Sequence, residues 1–267
     1  VIGVLAIAAS GLAVCPVKAQ PAKEAPADLG PRYGEPDVIH FRVGAEITAG
    51  RGAFRDIVAT VAVPLECPEQ QVEIVTEDVS PHVRDVSYRL VQGGARQMLI
   101  SVPQLAAGET ARAVVLFKVS SRPILPPENT AALKIPSRLT NDLRPFVMAS
   151  PFIDVRQRSI VALGQDAFRG TSETASDWEK IEAIYDRVLA EVDYVEGPDK
   201  SALEALRDKQ ADCQGRSMLF IALCRVNKIP ARMVWVHGHA YPEFYLEESE
   251  GRGWWFPCES AGSRAFG

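Results

Sequence analysis

Three short stretches near the end of the chain hold the residue types of an acyl-transfer site. They are Asp212-Cys213-Gln214-Gly215, His237-Gly238-His239-Ala240-Tyr241 and Trp255-Phe256-Pro257-Cys258-Glu259. A thiol, an imidazole and a carboxylate in this order supply a nucleophile, a general base and a group that orients the base. A free thiol is mostly protonated at neutral pH, so Cys213 needs a partner to take its proton. Asp212 is a good N-cap for a helix over Gln214 to Asn227, which places Cys213 in the first turn beside unsatisfied amides and the positive dipole end. The Asp212 charge works against a thiolate, so the dipole alone is insufficient and an imidazolium must share the site.

The elements that position these groups follow from the pattern around them. Met218, Leu219, Ile221, Ala222, Leu223 and Val226 cover a broad helical face, and Pro230 stops the helix. Ala231 to Val236 reads as a strand rich in β-branched and aromatic residues, and His239 to Leu246 as a second strand with His239 at its start. The turn chemistry of Glu248-Ser249-Glu250-Gly251-Arg252-Gly253 makes a hairpin into Trp254-Trp255-Phe256-Pro257. In simple register, that hairpin returns Glu259 beside the start of the His239 strand, where a carboxylate can hold the second imidazole nitrogen.

Residues from about 150 to 262 resemble the core of the transglutaminase-like superfamily, whose fold is similar to that of papain-type cysteine proteases. The matching pieces are Ser201-Ala202-Leu203-Glu204-Ala205-Leu206, Asp212-Cys213, Phe220 to Arg225, Ile229-Pro230-Ala231-Arg232-Met233-Val234, His239-Ala240-Tyr241-Pro242-Glu243 and Trp255-Phe256-Pro257. The resemblance implies Cys213 as nucleophile and His239 as general base, on an α+β core of helices packed against an antiparallel sheet. Two positions depart from the family pattern. Ala211 stands where glycine is usual, and Glu259 stands where aspartate is usual, one methylene longer.

The other polar groups divide between cleft and core. His237 reads as a loop histidine lining the cleft. Gln210, Gln214 and the indoles of Trp254 and Trp255 are candidates for the substrate cleft or for the second oxyanion donor, beside the Cys213 amide. Cys224, within the apolar helix, and Cys258, facing away from Glu259 by strand alternation, read as core. Cys213, His237, His239 and Cys258 are zinc ligands in type, but without a Cys-x-x-Cys or His-x-x-x-His pair their spacing does not build a metal site. No calcium loop occurs, and Glu247-Glu248-Ser249-Glu250 reads as a solvated hairpin tip. The expected chemistry needs neither metal nor cofactor.

Upstream, the chain reads as a targeting segment and an all-β domain. Residues 1–19 are apolar and small, and Val17-x-Ala19 suits signal-peptidase cleavage, which implies export to the periplasm or beyond. The segment is too short and too rich in small residues for an integral membrane span, and Val14 is bulkier than lipid-anchoring sites accept at Cys15. Residues 20–36 are a linker by composition. From 37 to 121 the pattern alternates, with strands near 39–47, 57–63, 71–77, 83–91, 97–102 and 109–119, broken by Gly and Pro as in a β-sandwich. A Pro-rich connection, 122–152, leads to the catalytic domain at 153–267. Helices are expected over Val155 to Phe168, behind the Ser176/Glu179 capping box, and behind the Ser201/Glu204 capping box. The last residues, Arg264 to Gly267, arrive without a terminating element, which leaves room for a further strand or domain.

Composition narrows the partners. At 267 residues, 47% hydrophobic and 24% charged, the chain can build two cores. A net charge of −5 without a Lys/Arg run argues against nucleic acid; a protein or peptide substrate is what the transglutaminase-like resemblance implies. Oligomeric state is not legible. Cys213 and Cys224 stand eleven positions apart on one helix, roughly 16 Å along its axis, too far to bridge. The expected function is an exported cysteine acyltransferase or amidohydrolase acting on peptide or glutamine-type carboxamides through a thioester. A cysteine peptidase on the same fold, or an inactive binding domain, are the alternatives.

Overall fold

The computed structural model describes residues 29–91, 94–262 and 266. The expected signal segment, Cys15, the first part of the linker and most of the last residues lie outside the described residues. Within the described chain, eight strands come first: β1 (Arg32–Tyr33), β2 (Asp37–Thr48), β3 (Phe54–Val63), β4 (Gln70–Val79), β5 (Asp85–Val91), β6 (Ala95–Leu105), β7 (Thr110–Ser121) and β8 (Ile124–Leu125). Two three-stranded antiparallel sheets, ordered β2-β7-β4 and β3-β6-β5, take up six of these strands.

The central strands carry the alternation. In β7, Ala111, Ala113, Val115, Phe117 and Val119 are buried, and in β6 Met98, Ile100, Val102 and Leu105 are buried; both sets share one apolar core. A period of two puts all of one strand's apolar residues on one face, so two such faces remove each other from water. Each fully buried Val, Leu, Ile, Met or Phe side chain among them contributes about 1.5–3 kcal/mol.

The second half contains α1 (Arg158–Asp166), α2 (Asp177–Glu191), β9 (Asp193–Tyr194), α3 (Ala202–Asp208), β10 (Gln210–Ala211), α4 (Cys213–Val226), β11 (Ala231–Val236), β12 (His239–Glu247) and β13 (Gly253–Pro257). The antiparallel sheet β11-β12-β13 forms one layer, and α4 packs on β12 and β11 as well as on α1, α2 and α3. Both capping boxes form: Ser176 and Ser201 each accept from the backbone of the glutamate three residues on, whose carboxylate returns to the cap amide. The helix expected over 155–168 is shorter, with α1 beginning only after Gln157. No side-chain cap holds its amino end, so nothing fixes an earlier start.

Every residue of α4 from Gln214 to Arg225 is buried. A helix apolar on all sides belongs at the centre of a fold, and this one is the centre of the second core, against Ile181, Ile184 and Val188 of α2 and Phe244 of β12. Its carboxy-terminal Arg225 is buried too, and donates to the backbone oxygens of Ala231 and Met148 and to Ser150 Oγ. Burial lowers this guanidinium to about 10, which still leaves it charged at neutral pH. The ion's four hydrogen bonds tie the helix end to β11 and to the Pro-rich connection.

Segments read as linkers from their composition are tied down. Leu29 is buried in the second core, Gly30 lies against Trp254, and β1 pairs with β8. In the connection, Leu133 is fully buried and Lys134 bridges Glu247 at the end of β12. Pro and Ala report a chain's stiffness, but a few apolar side chains are enough to dock it.

Ala211 and Gly215 meet where α4 begins. A Cβ added at Gly215 would lie 2.6 Å from the Ala211 Cβ, closer than two carbons can stand. The glycine absent at 211 is thus matched by one at 215, on the first turn of the helix. Gly215→Ala is expected to destabilise the protein by about 1–3 kcal/mol through overpacking. Ala211→Gly in that background should restore most of the loss, in denaturant melts of the two single variants and the double; additive destabilisation would contradict the compensation.

Candidate active site

Cys213 is the first residue of α4 and is half-buried. Asp212 caps the helix by accepting from the Gly215 amide at 2.9 Å, so its carboxylate is turned into the helix end. The helix starts here because the cap satisfies an orphan amide and because Ala211, in β10, pairs in parallel with Tyr194 of β9. The other described cysteines differ. Burial, reinforced by a hydrogen bond to Glu69, pushes the Cys67 thiol up to about 12, and burial raises Cys224 and Cys258 well above the ordinary thiol value. All four described cysteines are free.

His239 opens β12, opposite Val236 of β11, and its ring is partly exposed. The β12–β13 register pairs Phe244 with Phe256 and Glu243 with Pro257, and the Cys258 amide continues the ladder to Pro242 O. Glu259 therefore returns beside the first residues of β12, and its Oε2 lies 2.7 Å from His239 Nε2. A carboxylate only accepts, so Nε2 carries the proton in this bond and Nδ1 is left with the lone pair. The extra methylene of glutamate is taken up by a local bend, in which Glu259 Oε1 accepts from the Ala261 amide at 2.9 Å. Both carboxylate oxygens are thereby fixed.

Two consecutive residues of α4 join these pieces. Arg216 donates to Val192 O and to Ala261 O, and lies over the Tyr194 ring at 5.7 Å. Ser217 Oγ lies 2.6 Å from Cys213 O, 3.4 Å from Ala240 O and 3.0 Å from Ser260 Oγ. The Cys213 carbonyl, the residue after His239 and the residue after Glu259 thus converge on one hydroxyl. Tyr194 faces the same group: burial, and then the nearby Cys213, Glu196, Asp212 and Glu259, raise its phenol above the ordinary value.

The remaining sequence candidates spread out. Gln214 is buried in the first turn of α4, while Gln210 is exposed and offers its backbone oxygen to Lys200. His237 is exposed in the turn before β12, in edge contact with Phe41 of β2. Trp254 and Trp255 pair with Leu246 and Tyr245, six or seven residues along β12 from His239, which is roughly 20 Å of extended chain. Trp254 packs on the core; Trp255 holds Phe146 and the Arg232 guanidinium. The geometry does not bring either indole to Cys213, because strand register, not sequence proximity to Glu259, decides which end of the hairpin a residue occupies.

Arg216, Ser217, Ala261 and Tyr194 carry no signal in the sequence. Arg216 and Ser217 sit in a helix whose periodicity is blurred by burial on all sides, and β9 is two residues long. Among the described residues, no group of three or more His, Cys, Asp or Glu side chains is placed to hold a metal ion, and no helix is long and apolar enough to cross a membrane.

Residues 163–259 match the family model described as the transglutaminase-like superfamily. A comparison with curated proteins finds no match. Among solved structures, the chain is similar to a candidate cysteine protease of Cytophaga hutchinsonii, with a TM-score of 0.58 and 19% identity over 88% of this chain and 80% of that one. A candidate protease of Parabacteroides distasonis, at 9% identity over 88% of this chain and 71% of that one, has a TM-score of 0.30, too low to bear on the fold. The helix that presents Cys213, the sheet that presents His239 and the bond to Glu259 all fall within residues 163–259, the segment that matches the transglutaminase-like superfamily model.

Proposed function

We propose that the protein is an exported cysteine acyltransferase or amidohydrolase with Cys213 as nucleophile, His239 as general base and Glu259 as the group that orients the base. The observation that carries this is the 2.7 Å bond between His239 Nε2 and Glu259 Oε2, which leaves Nδ1 available to the thiol. In the first half-reaction, Cys213 Sγ attacks the carbonyl carbon of a peptide-borne carboxamide while His239 takes the thiol proton. Collapse of the tetrahedral adduct expels ammonia or an amine, which leaves with that proton, and a thioester remains. Water or a second amine then attacks, His239 takes its proton, and the thiol is regenerated as acid or new amide is released. The Cys213 amide, at the start of α4, is the first oxyanion donor.

Export rests on the apolar residues 1–19, and the two amino-terminal sheets are taken as a β-sandwich that scaffolds the core and walls the substrate path at Phe41 and His237. A peptidase on the same core is the alternative, favoured by the likeness in fold to the Cytophaga hutchinsonii protein.

Cys213→Ala should abolish turnover of peptide carboxamides, and in the wild-type protein iodoacetamide should modify Cys213 ahead of Cys67, Cys224 and Cys258, read by peptide mass mapping. Equal labelling of Cys213 and Cys224 would contradict the role of the thiol. His239→Ala should reduce kcat/KM by about 10³-fold or more, and His237→Ala by less than about tenfold. The reverse ranking would assign the base to His237. Glu259→Gln should fall between the two, at roughly 10²-fold, because the imidazole loses its orienting charge and keeps its place.

Turnover should be the same in chelator and in millimolar calcium, since the sequence carries no Asp-x-Asp-x-Asp-Gly loop and Glu247-Glu248-Ser249-Glu250 reads as a solvated hairpin tip. A large activation by calcium would show that a cation completes the site.

A further inference from the structure

We infer that the buried hydroxyl pair Ser217–Ser260 is a positioning device that holds the nucleophile, the base and the orienting carboxylate in one frame. This rests on the triad assigned above and extends it by two residues that carry no chemistry themselves. Ser217 and Ser260 are 1% and 0% exposed, so neither hydroxyl has water to fall back on. Each hydroxyl has one proton to give. The shortest contact, 2.6 Å from Ser217 Oγ to Cys213 O, takes the Ser217 proton; Ser260, 3.0 Å away, then donates to Ser217 Oγ. Both protons are then placed, with the Ser217 proton shared between Cys213 O and, more weakly, Ala240 O at 3.4 Å.

The three backbone sites so joined are Cys213 itself, the neighbour of His239 and the neighbour of Glu259. A link through main chain and a two-atom side chain has almost no slack, unlike one through a long charged side chain. Ser217 and Cys213 share one turn of α4, so that turn cannot slide along the helix axis without breaking the bond to Ser260 or stretching the contact with Ala240 O. Arg216 adds a second fastening on the same turn, by holding Ala261 O while Glu259 holds Ala261 N. Arg216, through Ala261 O, and Ser217, through Ser260 Oγ, thus fasten the 259–261 bend to the first turns of α4. A misplacement of about 1 Å at such a site costs up to roughly 10²-fold in rate, so a buried hydrogen bond outside the reacting atoms can set kcat.

Ser217→Ala and Ser260→Ala test this in the full chain, with kcat, KM and the pH profile of Cys213 alkylation as readouts. Each variant should lower kcat about tenfold with KM changed less than about twofold. The double variant should lose no more than Ser217→Ala alone, because Ser217→Ala already removes the bond that Ser260→Ala removes. In all three, the alkylation profile should move toward that of an unassisted thiol, which a loss of stability alone would not produce. Ser217→Thr, which keeps a hydroxyl able to reach the carbonyl four residues back, should recover much of kcat. Should Ser217→Ala not fold, Ser260→Ala removes the same bond from outside the helix.

Wild-type kcat and alkylation in both alanine variants, with Cys213→Ala inactive, would overturn the positioning role and leave the triad standing. Losses that simply add in the double variant would also overturn it. Turnover persisting in Cys213→Ala would remove the triad and the positioning role together.

Discussion

Burial of α4 on every side is the constraint on which the rest of the molecule depends. A helix with no solvent face cannot rotate or shift without opening cavities against α1, α2, α3 and the β11-β12-β13 sheet at once. Its first residue is Cys213, so the position of the thiol is set by the packing of the whole second core. The geometry at that end of the helix is set by apolar contacts along the remaining turns.

Such a helix must still satisfy its polar groups, and it does so at its two ends. Arg225 and Asn227 close the carboxy-terminal end against Ala231, Met148, Ser150 and Gly164. Asp212, Arg216 and Ser217 close the amino-terminal end against Gly215, Val192, Ala261 and Ser260. Most of these partners belong to distant parts of the chain, so the caps that allow the helix to be buried are also the ties that gather β12 and the 259–261 bend around its start. Stability and site geometry are here the same set of bonds.

Much of this is legible in the amino-acid sequence. The alternation in β6 and β7, the two capping boxes, the Asp212 cap and the hairpin register that returns Glu259 to His239 all follow from local pattern, and local pattern is what a sequence displays. Cys224 and Cys258 are also readable as core, one from its apolar surroundings and the other from strand alternation. The hydroxyl pair and Arg216 are not, because a serine or arginine inside an apolar run has no signature until its partners, more than twenty residues away in sequence, are known. Trp254 and Trp255 mislead for the opposite reason: their nearness to Glu259 along the chain places them at the far end of the strand they pair with. The reach of Glu259 depends on a bend through Ala261 that residue type alone does not announce.

The most direct measurement is the mass of the covalent intermediate. A glutamine-containing peptide library incubated with the protein and quenched in acid should leave an acyl group on the peptide that contains Cys213. Its mass should equal that of the substrate less ammonia or the departing amine. An adduct on any other residue, or turnover with no adduct under conditions that trap thioesters, would contradict the account of Cys213 as the nucleophile.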